Sequence, residues 1–164
     1  MSTSVRIRAA EPADVPLLLE LIRELATYER AADRVTGTEA DLAEALFGER
    51  PTAEAVLAEV EGEPAGFALF FTTFSTWLCR PGIWLEDLFV RPDRRRAGVG
   101  RKLLSHLAAL AVQRRCSRLD WSALTWNTLA LDFYAGLGAE RLDEWAVHRL
   151  EGPALERVAS GIAP

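Results

Sequence analysis

Val5-Arg6-Ile7-Arg8 alternates apolar and charged side chains, the two-residue period of a half-buried strand. The period then lengthens. Val15, Leu18, Leu19, Ile22 and Leu25 recur at three- and four-residue steps, which predicts a helix that Asp14 caps and that ends near Glu29. Thr38-Glu39-Ala40-Asp41 sets a hydroxyl three residues ahead of a carboxylate, a near capping box for a second helix through Leu46. Ala55 to Val60, the turn Glu61-Gly62-Glu63-Pro64, and Ala65 to Thr73 read as strand, turn and strand. Ile83 to Val90 is a further strand, stopped by Arg91-Pro92. Gly98 to Arg115 is a long helix with Leu103, Leu104, Leu107, Leu110 and Ala111 on its buried side. Leu119 to Leu124 predicts a strand, Thr128 to Leu137 a helix closed by Gly138, and Trp145 to Leu150 a final strand. The order is an α/β sandwich with an antiparallel meander at its centre. A Rossmann alternation needs a helix between nearly every pair of strands, and this chain lacks it.

The 164 residues contain no repeat, low-complexity tract or linker, so residues 1–164 are expected to form one domain. No apolar run approaches the roughly 20 residues of a membrane span. Met1-Ser2-Thr3-Ser4-Val5-Arg6 has no hydrophobic region of the kind that directs export. Cys79 and Cys116 match no zinc or redox spacing, and His106 and His148 cannot supply a His-rich metal site. The expectation is a reduced, cytoplasmic protein without a metal.

Charge changes this picture. The net −5 hides 14 acids against 6 bases in residues 1–63, and 9 bases against the single acid Asp93 in residues 91–118. A basic island in an acidic chain points to a local anion site, and the acidic remainder disfavours nucleic acid and attracts cations. Within the island, Arg94-Arg95-Arg96-Ala97-Gly98-Val99-Gly100-Arg101-Lys102 lies between a strand and a strong helix. Glycines there let backbone N–H groups at a helix start approach a ligand, and with the helix dipole they suit a pyrophosphate. The segment is neither a Walker loop nor the Rossmann fingerprint, since Leu103 stands where a third glycine belongs. The plainer alternative is a helix start with turning glycines and solvated arginines.

Trp84-Leu85-Glu86-Asp87-Leu88-Phe89-Val90-Arg91-Pro92 before this loop, and Trp126-Asn127-Thr128-Leu129-Ala130-Leu131-Asp132-Phe133-Tyr134-Ala135-Gly136-Leu137-Gly138-Ala139 after it, resemble the GNAT superfamily of acetyl-CoA-dependent N-acetyltransferases. Within it the chain is most similar to the diamine (spermidine/spermine-type) group and its thialysine-acetylating relatives. Leu25-Ala26-Thr27-Tyr28-Glu29 and Glu144-Trp145 fit the same group. Arg96 departs from it, standing where many members have glycine. The resemblance implies a GNAT fold, with a mixed, mostly antiparallel sheet, splayed parallel strands and helices on both faces. It also implies acetyl-CoA as co-substrate, a small-molecule amine as acceptor, and a homodimer.

Acetyl transfer from a thioester to an amine needs a base for the amine, a donor for the oxyanion, and an acid for the departing thiolate. By resemblance, the backbone of Leu88, Phe89 and Val90 bonds the pantetheine and the thioester carbonyl. Arg95, Arg96, Ala97, Gly98, Val99, Gly100 and Arg101 surround the pyrophosphate, while Asn127, Ala130 and Tyr134 line the cofactor arm. Glu86 is the expected base: strict alternation puts it with Trp84, Leu88 and Val90 on a largely apolar face, where a carboxyl is pushed up, and turns Asp87 to the opposite face. Tyr134 is the expected acid, with core packing as its plainer reading. Tyr28, Glu29, Trp84, Glu86, Asp87, Glu144 and Trp145 form an acidic, aromatic lining for an alkylammonium chain, with Asp143 the alternative to Glu144.

The expected function is therefore N-acetylation of a primary amine on a small diamine, polyamine or thialysine-like molecule, by direct attack in a ternary complex. Rival expectations are acetylation of a protein, a peptide or an aminoglycoside, a non-catalytic acyl-CoA sensor, and a nucleic-acid binder. The last is disfavoured because residues 91–118 interleave no aromatics with the charge.

Overall fold

The computed structural model describes residues 4–161, so Met1, Ser2 and Thr3 of the N-terminal stretch lie outside the described residues. The chain divides into two compact units, one running to Ser122 and the other starting at Ala123.

The first unit holds a five-stranded sheet in sequence order: β1 (Val5–Ala9), β2 (Glu54–Val60), β3 (Glu63–Ser75), β4 (Arg80–Val90) and β5 (Leu119–Trp121). The first three pairings are antiparallel: short turns join β2 to β3 and β3 to β4, whereas the connection from β1 to β2 carries two helices. The last is parallel and uses helix α3 (Val99–Gln113) as its crossover. This is the expected mixed, mostly antiparallel α/β architecture.

Leu57, Phe67 and Phe89 are register partners across three strands. They bury against Leu18, Leu21 and Leu25 of α1 (Val15–Tyr28) and Leu46 of α2 (Glu39–Phe47). Each such side chain contributes about 1.5–3 kcal/mol by leaving water. The alternate positions Val56, Ala58, Ala68, Phe70, Ile83 and Leu85 are buried too. Helix α3 packs on β1 through β5, burying Val99, Leu103, Leu104, Leu107 and Ala111. Both faces of the sheet are therefore covered.

The helix starts illustrate local chemistry overridden and obeyed. Asp14 was expected to cap α1, but its side chain makes no capping bond there. Its carboxylate instead accepts from both terminal nitrogens of Arg8, at 2.7 and 2.8 Å, and from the Glu11 amide at 2.7 Å. A bidentate guanidinium outcompetes a helix amide. The second start follows the sequence: the Asp41 amide donates to Thr38 Oγ1 at 3.2 Å, and the Thr38 amide donates to Asp41 at 2.9 Å.

The second unit contains α4 (Thr128–Ala135) and α5 (Gly152–Ala159). The strand expected from Trp145 to Leu150 does not form. Alternation selects extended backbone, but a strand also needs a neighbour for its N–H and C=O groups. Trp145 is 69% and Val147 80% exposed, so no face of this segment is buried. Helix α5, which the apolar pattern did not predict, starts with Pro153 in its first turn, where a missing N–H costs nothing.

Candidate active site

The site of interest in the first unit begins where two regular ladders fail. The β4–β5 pairing runs only over Ile83–Leu119, Trp84–Asp120 and Leu85–Trp121, so the parallel ladder stops at Leu85. On the other side of β4, Phe70 pairs with Leu85 and Leu69 pairs with Asp87. Glu86 is therefore an extra residue, a β-bulge, which re-aims side chains and increases local twist. Gly66, the partner of Val90, keeps β3 close to this stretch; a Cβ there would collide with the Phe89 carbonyl oxygen.

The bulge corrects the expected alternation. Glu86 is exposed rather than set on an apolar face, and its carboxylate accepts from the Trp84 indole N–H at 2.9 Å. Asp87 shares its partner Leu69 with the core beneath α1 and is the more enclosed of the two acids. Burial, then the charges of Glu86 and Glu29, push the Asp87 carboxyl from the ordinary 3.8 up to about 6. Burial also raises Glu29, which caps the C-terminal end of α1. Two acids expected on opposite faces thus act on one another, together with a third. Leu88 and Val90 are half-buried, whereas the Phe89 ring is core, which leaves its backbone as the part able to meet a ligand.

Beyond β4 the chain makes a short turn at Pro92–Arg94 and reaches the glycine loop. Gly98 takes a left-handed φ of 76°, open to glycine without strain, and stands at the N-cap of α3. Having no side chain, it leaves the first N–H groups of α3 without a side-chain cap. Arg96, Ala97 and Arg101 are exposed, Gly100 is half-buried and Val99 is buried. This is the chemistry an anionic phosphate group needs: unclaimed amides, a positive helix end and nearby guanidinium groups. Arg96 adopts a φ of 70°, the region where glycine is at home and a side chain is strained.

Sequence reasoning did not foresee how the arginines are anchored. Arg91 donates to Glu24 at 2.6–3.2 Å and to Glu20 at 2.7 Å, and the Arg95 guanidinium lies 4.6 Å from the centre of the Tyr28 ring. Arg91 and Glu24 are 67 residues apart, so only the charges themselves could have hinted at the pairing.

In the second unit, Asn127 caps α4: its Oδ1 accepts from the Ala130 amide at 3.3 Å. Tyr134 is half-buried, its ring 5.4 Å from that of Phe133 at 52°. Glu144 and Trp145 are exposed in the irregular segment, and neighbouring Asp143 pairs with Arg141 at 2.5 Å.

Residues 18–139 match the acetyltransferase (GNAT) family. The chain is 39% identical to the thialysine N-epsilon-acetyltransferase of Bos taurus, over 94% of this chain and 97% of that one. It is 31% identical to the L-ornithine N5-acetyltransferase NATA1 of Arabidopsis thaliana, over 93% of this chain and 87% of that one. Among solved structures, the integron cassette protein VCH_CASS6 from the mobile metagenome of V. cholerae superposes with a TM-score of 0.80 at 31% identity. That likeness covers 97% of this chain and 98% of the other.

Proposed function

The chain belongs to the acetyltransferase (GNAT) family, as an acetyl-CoA-dependent N-acetyltransferase, and we propose that its acceptor is a primary amine on a small cationic molecule. Diamines, polyamines and thialysine-like amino acids are the class. One observation carries this reading: at the bulge of β4, burial and then the charges of Glu86 and Glu29 hold the Asp87 carboxyl at about 6. A site that destabilises its own carboxylates is relieved by a cation. The relatives named for thialysine and for the N5 of ornithine act on amines at the end of an amino-acid side chain, which supports the same class.

Acetyl-CoA supplies an acyl carbon activated as a thioester. In this reading the backbone of Leu88, Phe89 and Val90 aligns it, and the amides of Arg96 to Arg101 receive its pyrophosphate. Asn127 and Ala130 serve the pantetheine arm. Tyr28, Glu29, Trp84, Asp87, Glu144 and Trp145 hold the alkylammonium by charge and cation–π contact. Glu86 takes the proton from the attacking amine, directly or through water, and Tyr134 gives its phenolic proton to the departing thiolate. A second reading is favoured by the raised carboxyl of Asp87, which is better matched to a base near neutrality; in it Asp87 takes the proton and Glu86 binds the chain.

The same proposal makes residues 1–164 one catalytic domain, acting as a cytoplasmic homodimer on small molecules, without metal, membrane or nucleic acid. Among the described residues no helix is long and apolar enough to cross a membrane.

An acetyl-CoA consumption screen over polyamines, thialysine-like amino acids, aminoglycosides and peptides tests the function. Amines with a second cationic centre are expected to outperform monoamines of equal length, and Glu29→Gln and Glu144→Gln to raise KM for them without altering acetyl-CoA affinity. Better turnover of peptides or neutral aromatic amines overturns the substrate class. No turnover with any amine favours a sensor.

A further inference from the structure

The loop before α3 is tied to α1 at two points. Arg91 holds Glu20 and Glu24, and Arg95 lies over Tyr28 while its Nε donates to the Val90 carbonyl at 3.2 Å. Glu20, Glu24 and Tyr28 follow one another at four-residue steps, so one stripe of α1 receives both arginines. The arginines of the loop thereby fall into two groups. Arg91 and Arg95 are committed inward; Arg94 pairs with its neighbour Asp93 at 3.3 Å; Arg96 and Arg101 are exposed to an incoming anion. A guanidinium stacked on a ring and bonded to a strand carbonyl orients the chain that carries it.

That chain needs orienting. Directly after Arg95 the backbone passes through left-handed conformations at Arg96, φ 70°, and Gly98, φ 76°. The first is strained for a residue with a side chain and persists only where its flanks are fixed. Helix α3 fixes one flank, and the Arg95–Tyr28 stack fixes the other.

We propose that Tyr28 is a positioning residue for the cofactor: its ring holds Arg95 and, through Arg95, the loop that receives the pyrophosphate of acetyl-CoA. The proposal rests on the phosphate-loop reading above and goes beyond the substrate-lining role given there to Tyr28. The next residue, Glu29, acts on Asp87, so one helix end serves both the cofactor loop and the acidic cluster.

Calorimetric titration with CoA tests it. Tyr28→Leu keeps an apolar side chain but removes the π face, Tyr28→Phe keeps the face, and Arg95→Gln removes the cation. Tyr28→Leu and Arg95→Gln are each expected to weaken CoA binding by about two- to fivefold, the worth of one half-exposed cation–π contact. Tyr28→Phe retains affinity, and the double variant that combines Tyr28→Leu with Arg95→Gln is no weaker than either single one. Thermal midpoints establish that each variant is folded, and Tyr28→Met takes the place of Tyr28→Leu if the latter is not. Unchanged CoA affinity in folded Tyr28→Leu, or strictly additive losses in the double variant, overturns the role of Tyr28. Gly100→Asp, run beside them, examines the loop itself: if it too binds CoA normally, the phosphate-loop reading fails and the proposal falls with it.

Discussion

Replacing Asp87 by Asn removes one ionisable oxygen from the acidic cluster while nearly preserving shape, and its effect on stability has a definite dependence on pH. The folded carboxyl titrates at about 6 and the ordinary one at 3.8, so between those values the native state holds a proton that the unfolded chain has lost. Stability therefore falls as pH rises through that window, and the loss is complete above it. The difference corresponds to about 3 kcal/mol at 1.36 kcal/mol per pH unit, an upper figure because Asp87 is not fully enclosed. Asn carries no such penalty. Urea titrations of both proteins from about pH 4 to about pH 7.5 are expected to coincide at the acid end and to separate upward, with the variant more stable by about 1–3 kcal/mol at neutrality. A diamine should do to the wild type what the substitution does. Its binding near pH 6 releases protons from Asp87, visible as a heat that differs between buffers of unlike ionisation enthalpy. A stability difference that does not vary with pH, or a variant less stable than wild type at neutrality, refutes the assignment of the raised carboxyl to Asp87.

Asp14 provides the opposite sign: the Arg8 guanidinium holds its carboxyl below the ordinary range, so Asp14→Asn should destabilise by about 1–3 kcal/mol at neutral pH and less as pH falls, read by the same titrations. Gly100→Asp adds a negative charge in the first turn of α3, where folding tolerates it, yet CoA affinity measured by calorimetry should drop about tenfold, or 1.4 kcal/mol. Tyr134→Phe keeps the ring and removes the phenol; kcat should fall by roughly 10²- to 10⁴-fold with cofactor affinity retained, and near-normal turnover returns Tyr134 to a packing role. Glu86→Gln should hurt most at low pH and recover partly as solution deprotonates the amine, whereas the same pattern confined to Asp87→Asn would make Asp87 the base.

Much of this architecture was legible because its determinants are local. Leu18, Leu25 and Leu107 fall on helical faces, Thr38 and Asp41 satisfy each other three residues apart, and Gly98 with Gly100 announces a helix start that approaches something closely. What eluded the pattern depends on residues distant in sequence. Whether Asp14 caps a helix is decided by Arg8, and whether residues 145–150 become a strand is decided by the presence of a neighbour. The face taken by Asp87 is decided by the register that β3 imposes on β4. The cluster of acids was found from their types, yet its most perturbed member was assigned to the wrong side, because a bulge is invisible to counting by twos.

The bulge also bears on how this chain tolerates changes of length. Inserting or deleting one residue within a strand ordinarily inverts every side chain beyond that point. Glu86 is the exception in β4: Leu85 and Asp87 face consecutive residues of β3, so removing Glu86 joins two stretches already in register. The sheet does not require this residue, and a chain shortened by Glu86 should keep its core while losing one carboxylate. Chemistry placed at such a point can be added, exchanged or lost by a single-residue insertion or deletion without disturbing the packing of the rest, which makes it the place in β4 where the specificity of the site is freest to drift.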